Sequence, residues 1–201
     1  YPLAYGISRA WRKFYRWAVR KPDKLIKRIN KWVPPGLVID VGCGNADRLL
    51  SLPEHYETSG IEISKALAEE AQELLATRGG SITNLPAVVG LASYEAGTAS
   101  GVLMRSFLEH EQKPVELLSH AARVLKPDGV AIIKVPNFSS INRRVMGSRW
   151  CGFRFPGHVN YFTPASLRSM VEDAGLSAVG FGFFDRFPLS DNMWMVVRKG
   201  G

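Results

Sequence analysis

Two short stretches hold the residues with the clearest chemical content: Val38-Ile39-Asp40-Val41-Gly42-Cys43-Gly44-Asn45-Ala46-Asp47 and Gly60-Ile61-Glu62-Ile63. The apolar run before Asp40 reads as a buried strand opening into a glycine-pinched turn. Gly42 and Gly44 allow that turn positive φ and let a ligand lie on bare backbone. Glu62 follows Gly44 by 18 residues, where a dinucleotide-type fold places the acid that grips a ribose diol. Cys43, between the two glycines, reads as a small neutral filler of the loop and not as a nucleophile. His110 and His158 are the candidate general bases, because imidazole titrates near neutrality. His55 and His120 read as surface or helix-face residues without a role.

The carboxylates decide which ligand suits the loop. A pyrophosphate site offers N–H groups and a helix N-terminus to negative charge. Here Asp40 closes the strand and Asp47 stands at the exit of the turn, an arrangement that repels phosphate and suits an ammonium or sulfonium group. Asp47 also breaks the G-x-G-x-x-G/A fingerprint at its last position, where a small residue is needed. A ligand with a ribose, a positive charge and no phosphate fits, and S-adenosylmethionine is such a ligand.

On these residues the chain resembles the class I S-adenosylmethionine-dependent methyltransferases, from residue 36 onward. Asp40-Val41-Gly42-Cys43-Gly44 is similar to the first motif of that family. Ser106-Phe107-Leu108-Glu109-His110 resembles its Leu-Glu-His signature after the fourth strand. Val124-Leu125-Lys126-Pro127-Asp128-Gly129 resembles its turn before the fifth. Trp150, Gly157-His158, Tyr161-Phe162-Thr163 and Ala174-Gly175-Leu176 resemble a late pattern found in one subgroup. Ala46 stands where the third glycine is usual, Ala99-Ser100 replaces a Phe-Asp pair, and Val89-Gly90-Leu91 lacks an acid near the adenine.

The resemblance implies S-adenosylmethionine as cofactor and S-adenosylhomocysteine as its product. It implies Asp40 toward the methionine ammonium, Gly42, Cys43 and Gly44 along the ligand, Glu62 on the ribose, and Ile63 and Leu91 around the adenine. Arg105 and Ser106 then face the methionine end through their backbone. Methyl transfer needs alignment and exclusion of water, and a base where the acceptor is a hydroxyl. With the aromatic segment 136–162 read as a substrate-covering loop, the implied reaction is O-methylation of a small molecule, without a metal. An RNA methyltransferase and a non-catalytic binding module are the other open readings.

The elements that position these residues alternate between strand and helix. Strands are expected at 37–41, 58–63, 87–89, 101–105, 130–135, 176–184 and 193–197. Helices are expected at 45–51, 65–77, 114–125 and from Thr163-Pro164 to Gly175. This is the pattern of an α/β, Rossmann-like, doubly wound sheet of seven strands. It is mostly parallel, with an antiparallel last strand and helices on both faces. Ligands of such sheets bind at the carboxyl ends of the strands.

Composition places the chain among ordinary soluble globular proteins, with 46% hydrophobic and 22% charged residues. The net charge of +8 is uneven: residues 1–36 hold ten Lys/Arg against one acid, and the rest sixteen against seventeen. The chain therefore divides into a basic extension, 1–36, and a near-neutral catalytic domain, 37–201. Trp11, Phe14, Tyr15 and Ala18 form one helical stripe in the extension, and Leu25, Ile26, Ile29 and Trp32 a second that stops at Pro34-Pro35-Gly36. Three uses compete for residues 9–31: a helical layer over the cofactor cleft, contact with an anionic membrane surface, and contact with nucleic acid. Cys43 and Cys151 show neither metal-ligand nor disulfide spacing, which points to a reducing, cytoplasmic setting. No apolar run reaches membrane-spanning length, and the missing initiating Met reads as a trimmed start.

Overall fold

Leu25, Ile29 and Val33 recur at helical spacing, and helix α1 (Lys24–Trp32) buries Leu25 and Ile29 while Lys24, Lys27 and Lys31 stay exposed. Arg28 is drawn away from solvent: its guanidinium pairs with Asp185 at 2.5 Å and lies 4.6 Å over the Trp194 ring. The structure is a computed structural model that describes residues 24–200. The expected helix around Trp11–Ala18 and the basic residues before Lys24 lie outside the described residues. No helix among the described residues is long and apolar enough to cross a membrane.

The strands are β1 (Gly36–Val41), β2 (Tyr56–Ile61), β3 (Ser81–Thr83), β4 (Ala99–Arg105), β5 (Leu125–Pro136), β6 (Leu176–Gly180) and β7 (Asn192–Lys199). They form a single sheet in the order β3-β2-β1-β4-β5-β7-β6. All neighbouring pairs are parallel except those of β7, which runs antiparallel to both β5 and β6. The other helices are α2 (Asp47–Leu50), α3 (Lys65–Ala76), α4 (Ala87–Ala92), α5 (Pro114–Val124), α6 (Ile141–Met146) and α7 (Pro164–Asp173). One core joins α4, α5 and α7 to the sheet through Leu91, Leu117, Leu118 and Leu167. The other joins α1, α2 and α3 through Ile29, Leu49, Ala71 and Leu75. The doubly wound architecture expected from the sequence is therefore present. The order reverses at β1, whose neighbours are β2 and β4, and the crevice opens there.

Local chemistry sets several boundaries. Thr163 accepts the Ser166 N–H at 3.1 Å in a capping box, Pro164 opens α7, and Gly175 leaves it at φ +77°. Arg78 donates to the carbonyls of Leu49, Leu50, Leu52, Pro53 and Tyr56, tying the end of α2 and the approach to β2.

Two expected strands differ. Residues 87–92 are a helix, and the third strand is Ser81–Thr83. A short apolar run does not distinguish strand from helix, and here Pro86 directs the chain into a turn. At the true edge strand, the Gln72 carbonyl oxygen takes the Ile82 N–H at 2.7 Å. The expected strand 176–184 ends at Gly180, because 183–186 coil into a 3-10 turn closed by Asp185 on Gly182.

Candidate active site

The loop after β1 is built on local backbone geometry. Gly42 has φ +70° and Gly44 φ +57°, and Ala46 also takes a left-handed conformation at φ 59°. A Cβ on Gly42 would lie 2.4 Å from the Phe107 ring, so glycine is required there for space as well as for φ. Gly44 has open space on its Cβ side. Its N–H donates to Glu62 Oε2 at 2.9 Å, and the Ser64 N–H donates to Oε1 at 2.9 Å. Glu62 thus clasps the glycine loop from the end of β2. Asn84 donates to the Glu62 and Ile63 carbonyls and fixes the backbone behind it.

A cleft of about 560 Å³ opens beside this loop, lined by Gly42, Glu62, Ile63, the 85–89 segment, Phe107, His110 and the start of α5. Ile63 is 70% exposed on its wall. Leu91, expected beside it, is fully buried in the core and outside the cleft. Because 87–92 is helical, Leu91 turns inward while Val88 and Val89 supply the apolar wall.

Asp40 and Asp47 occupy different environments. Asp47 is exposed at the start of α2. Asp40 is fully buried beneath the loop, does not line the cleft, and meets Arg48 Nε at 3.2 Å through Oδ2, while Oδ1 has no hydrogen-bond partner. Arg48 was not anticipated; its signal is a cation one helical turn past the glycines. Burial pushes the Asp40 carboxyl up to about 6, against the opposing influence of Arg48. An acid raised in the fold makes stability fall as pH climbs from the unfolded value of about 3.9 through the folded one. Asp40→Asn is expected to remove that decline, read as melting temperature between roughly pH 4 and 7. Identical profiles for the two proteins would show that Asp40 does not titrate there. Burial also pushes the Cys43 thiol up to about 12, which keeps it neutral and suits a filler of the loop.

A second cavity of about 230 Å³ adjoins the cleft at His110. Ser106, Glu109, Lys134, Gly152, Arg154, His158 and Asp191 are among the residues that line it. The Val159 and Asn160 N–H groups both donate to the Glu109 carbonyl, which brings the segment bearing His158 onto the loop after β4. The His110 and His158 rings sit edge to face, 4.6 Å apart. His110 Nδ1 contacts the Gly157 carbonyl at 2.6 Å, and His158 Nδ1 the Gly152 carbonyl at 2.7 Å. A carbonyl only accepts, so both rings carry a proton on Nδ1, and in the neutral tautomer that this fixes the acceptor nitrogen is Nε2. His158 is buried, which pulls its pKa below the usual value and keeps it neutral.

Arg105, at the end of β4, is half-buried. Ser106 lines the smaller cavity, and its N–H is already given to the Lys134 carbonyl at 2.8 Å. Glu109 is buried with Oε2 unpartnered. Lys134, missed in the sequence, is a cation set in the apolar run from Val130 to Pro136 at the carboxyl end of β5.

The segment after β5 is more ordered than its lack of periodicity implied. It contains α6, a 3-10 turn and an aromatic cluster of Phe138, Trp150, Phe153 and Tyr161. Asp191, before β7, accepts from Trp150 Nε1 at 2.7 Å, Asn142 Nδ2 at 3.2 Å and Ser140 Oγ at 3.3 Å.

Fold and site together define a Rossmann-like domain with an open cleft at the glycine loop and an adjoining polar cavity. The chain belongs to the methyltransferase-domain family, which it matches over residues 11–179, and is an S-adenosylmethionine-dependent methyltransferase. It is 25% identical over 168 residues to a ubiquinone biosynthesis O-methyltransferase of Vibrio parahaemolyticus, spanning 77% of this chain and 69% of that protein. The cyclase SpnF shares the fold at TM-score 0.69 and 16% identity, over 89% of this chain and 80% of that one. A Burkholderia thailandensis 1,6-didemethyltoxoflavin-N1-methyltransferase, solved with its substrate and S-adenosylhomocysteine, does so at TM-score 0.65 and 17% identity, over 94% and 83%. At these identities the structural likenesses speak for the fold alone.

Proposed function

We propose that this methyltransferase forms an O-methyl product on a small-molecule acceptor held in the 230 Å³ cavity. The observation that carries the reading is the pair of imidazoles in the smaller cavity, of which His110 also lines the cleft, each tied through Nδ1 to a carbonyl. A hydroxyl must lose its proton as its oxygen gains the methyl group, and Nε2 of His110 or His158 is the acceptor for that proton. The similarity to an O-methyltransferase supports the same chemistry.

The cofactor site fits S-adenosylmethionine, which supplies an electrophilic methyl group when bound. Glu62 holds the ribose hydroxyls with the lone pairs left after Gly44 and Ser64. Gly42 and Gly44 admit the nucleoside to the backbone. Ile63, Val88 and Val89 flank the adenine. Asp40, beneath the loop, gives negative potential toward the cofactor ammonium. Residues 136–162 cover the acceptor and exclude water.

The test is incubation of the full chain with methyl-labelled S-adenosylmethionine and a panel of phenols, enols and sugars, with products read by mass spectrometry. Label on oxygen is expected; label confined to nitrogen or carbon rejects the O-methyl reading. Replacing the base, His110→Gln or His158→Gln, is expected to lower kcat about a hundredfold or more. Full activity in both variants would remove the imidazole base.

A further inference from the structure

Lys134 occupies an unusual position for a cation. It lies near the carboxyl end of β5, an interior strand, paired with Arg105 of β4 and Trp194 of β7. Ile133 and Val135 on either side are fully buried, and Lys134 itself is half-buried. Its Nζ donates to Ser106 Oγ at 2.7 Å. Ser106 adopts φ +53°, a left-handed conformation uncommon for a side chain other than glycine, and such strain gathers at ligand sites. An ammonium has three donors, so two remain, and Lys134 lines the cavity with them. Among the described residues no carboxylate comes within ion-pair distance of it.

The other charges of the cavity do not supply that partner. Asp191 is committed to Trp150, Asn142 and Ser140. Glu109 is buried with Oε2 unpartnered, and although its charge acts on Lys134 across the cavity, its oxygens stay beyond ion-pair distance. Arg154 adds a second cation to the lining, its Nε donating to the Cys151 carbonyl at 3.2 Å. Ligand atoms of Glu109, His110 and His158 lie within 4.8 Å of one another, as a metal site requires, but Lys134 and Arg154 beside them repel a divalent cation. A partly desolvated cation without a counter-ion is costly, and an anion entering the cavity relieves that cost.

We infer that the acceptor carries an anionic oxygen group, a carboxylate or a phosphate monoester, which docks on the Lys134 ammonium while its hydroxyl meets His110 and His158. The inference rests on the reading of this cavity as the acceptor site. Lys134 thereby selects the acceptor and sets its orientation toward the cofactor cleft. A lysine is a point charge and accepts either anion, so the probes must separate them.

The experiment is calorimetry on the full chain saturated with S-adenosylhomocysteine, using 4-hydroxybenzoate, 4-hydroxyphenyl phosphate and the neutral 4-hydroxybenzamide. At least one anion is expected to bind about tenfold or more tightly than the amide, as charge-assisted bonds of about 1.5–3 kcal/mol require. Whichever anion binds more tightly identifies the group. Lys134→Gln is expected to level the three probes, and Lys134→Arg to retain the preference, with S-adenosylhomocysteine affinity unchanged in both and no fall in melting temperature for Lys134→Gln. Equal binding of amide and anions by the natural chain overturns the inference. So does a preference that survives Lys134→Gln, or the absence of binding by all three. The readout needs no turnover, so it stands apart from the O-methylation screen.

Discussion

Replacing Glu62 with alanine is expected to weaken S-adenosylhomocysteine binding by at least about tenfold, and by more where both ribose bonds are lost, at about 1.5–3 kcal/mol per charge-assisted bond. Two effects act together. The proposed ribose contact disappears, and the Gly44 and Ser64 N–H groups, each 2.9 Å from the carboxylate, lose their acceptor. The glycine loop is then held only by its backbone bonds, including those of the Gly42 and Cys43 N–H groups to the Ile61 carbonyl. Glu62→Gln separates the effects, because an amide oxygen accepts only part of what the carboxylate does. Its affinity should fall between those of the natural chain and the alanine variant. Calorimetry that finds unchanged affinity in Glu62→Ala removes the ribose assignment.

Trp150→Ala should produce the largest loss of stability. The indole is 2% exposed, and its rings lie 5.4 Å from Phe153 and 6.2 Å from Phe138. Gly152 packs against it so closely that a Cβ there would overlap the ring. Truncating a buried tryptophan costs about 3–5 kcal/mol, and here Asp191 also loses a donor at 2.7 Å. In a chain of this length that corresponds to a fall in melting temperature of roughly 10 °C. The released segment should become open to trypsin at Arg143, Arg144 and Arg149, while S-adenosylhomocysteine affinity is largely kept, since the segment does not line the larger cleft. Cleavage no faster than in the natural chain, or a melting temperature within about 2 °C of it, would falsify the role of Trp150 as the anchor of this segment.

The glycine loop and the acid that clasps it were legible in the residue string because their determinants are local. Gly42, Gly44 and Glu62 act through backbone conformation and a fixed interval along a strand–turn–helix unit, and the structure joins Gly44 to Glu62 by one hydrogen bond. The cap at Thr163-Pro164 and the stop at Gly175 were legible for the same reason. Residues 87–92 were not, because six apolar residues satisfy strand and helix periods alike, and the error carried Leu91 to the wrong side of the wall. Of the smaller cavity, Ser106, His110 and His158 were named from the sequence, but their assembly with Glu109, Lys134 and Asp191 was not legible. Ser106, Lys134, His158 and Asp191 come from β4, β5, the segment after β5 and the approach to β7, and only the sheet order brings them together. Residue type marks which groups can titrate or donate. Whether Asp40 meets Arg48, or Lys134 lacks a carboxylate at ion-pair distance, depends on burial and on neighbours far away in the chain. Desolvation and long-range apposition are properties of the packed molecule, and here they decide the charge of the smaller cavity.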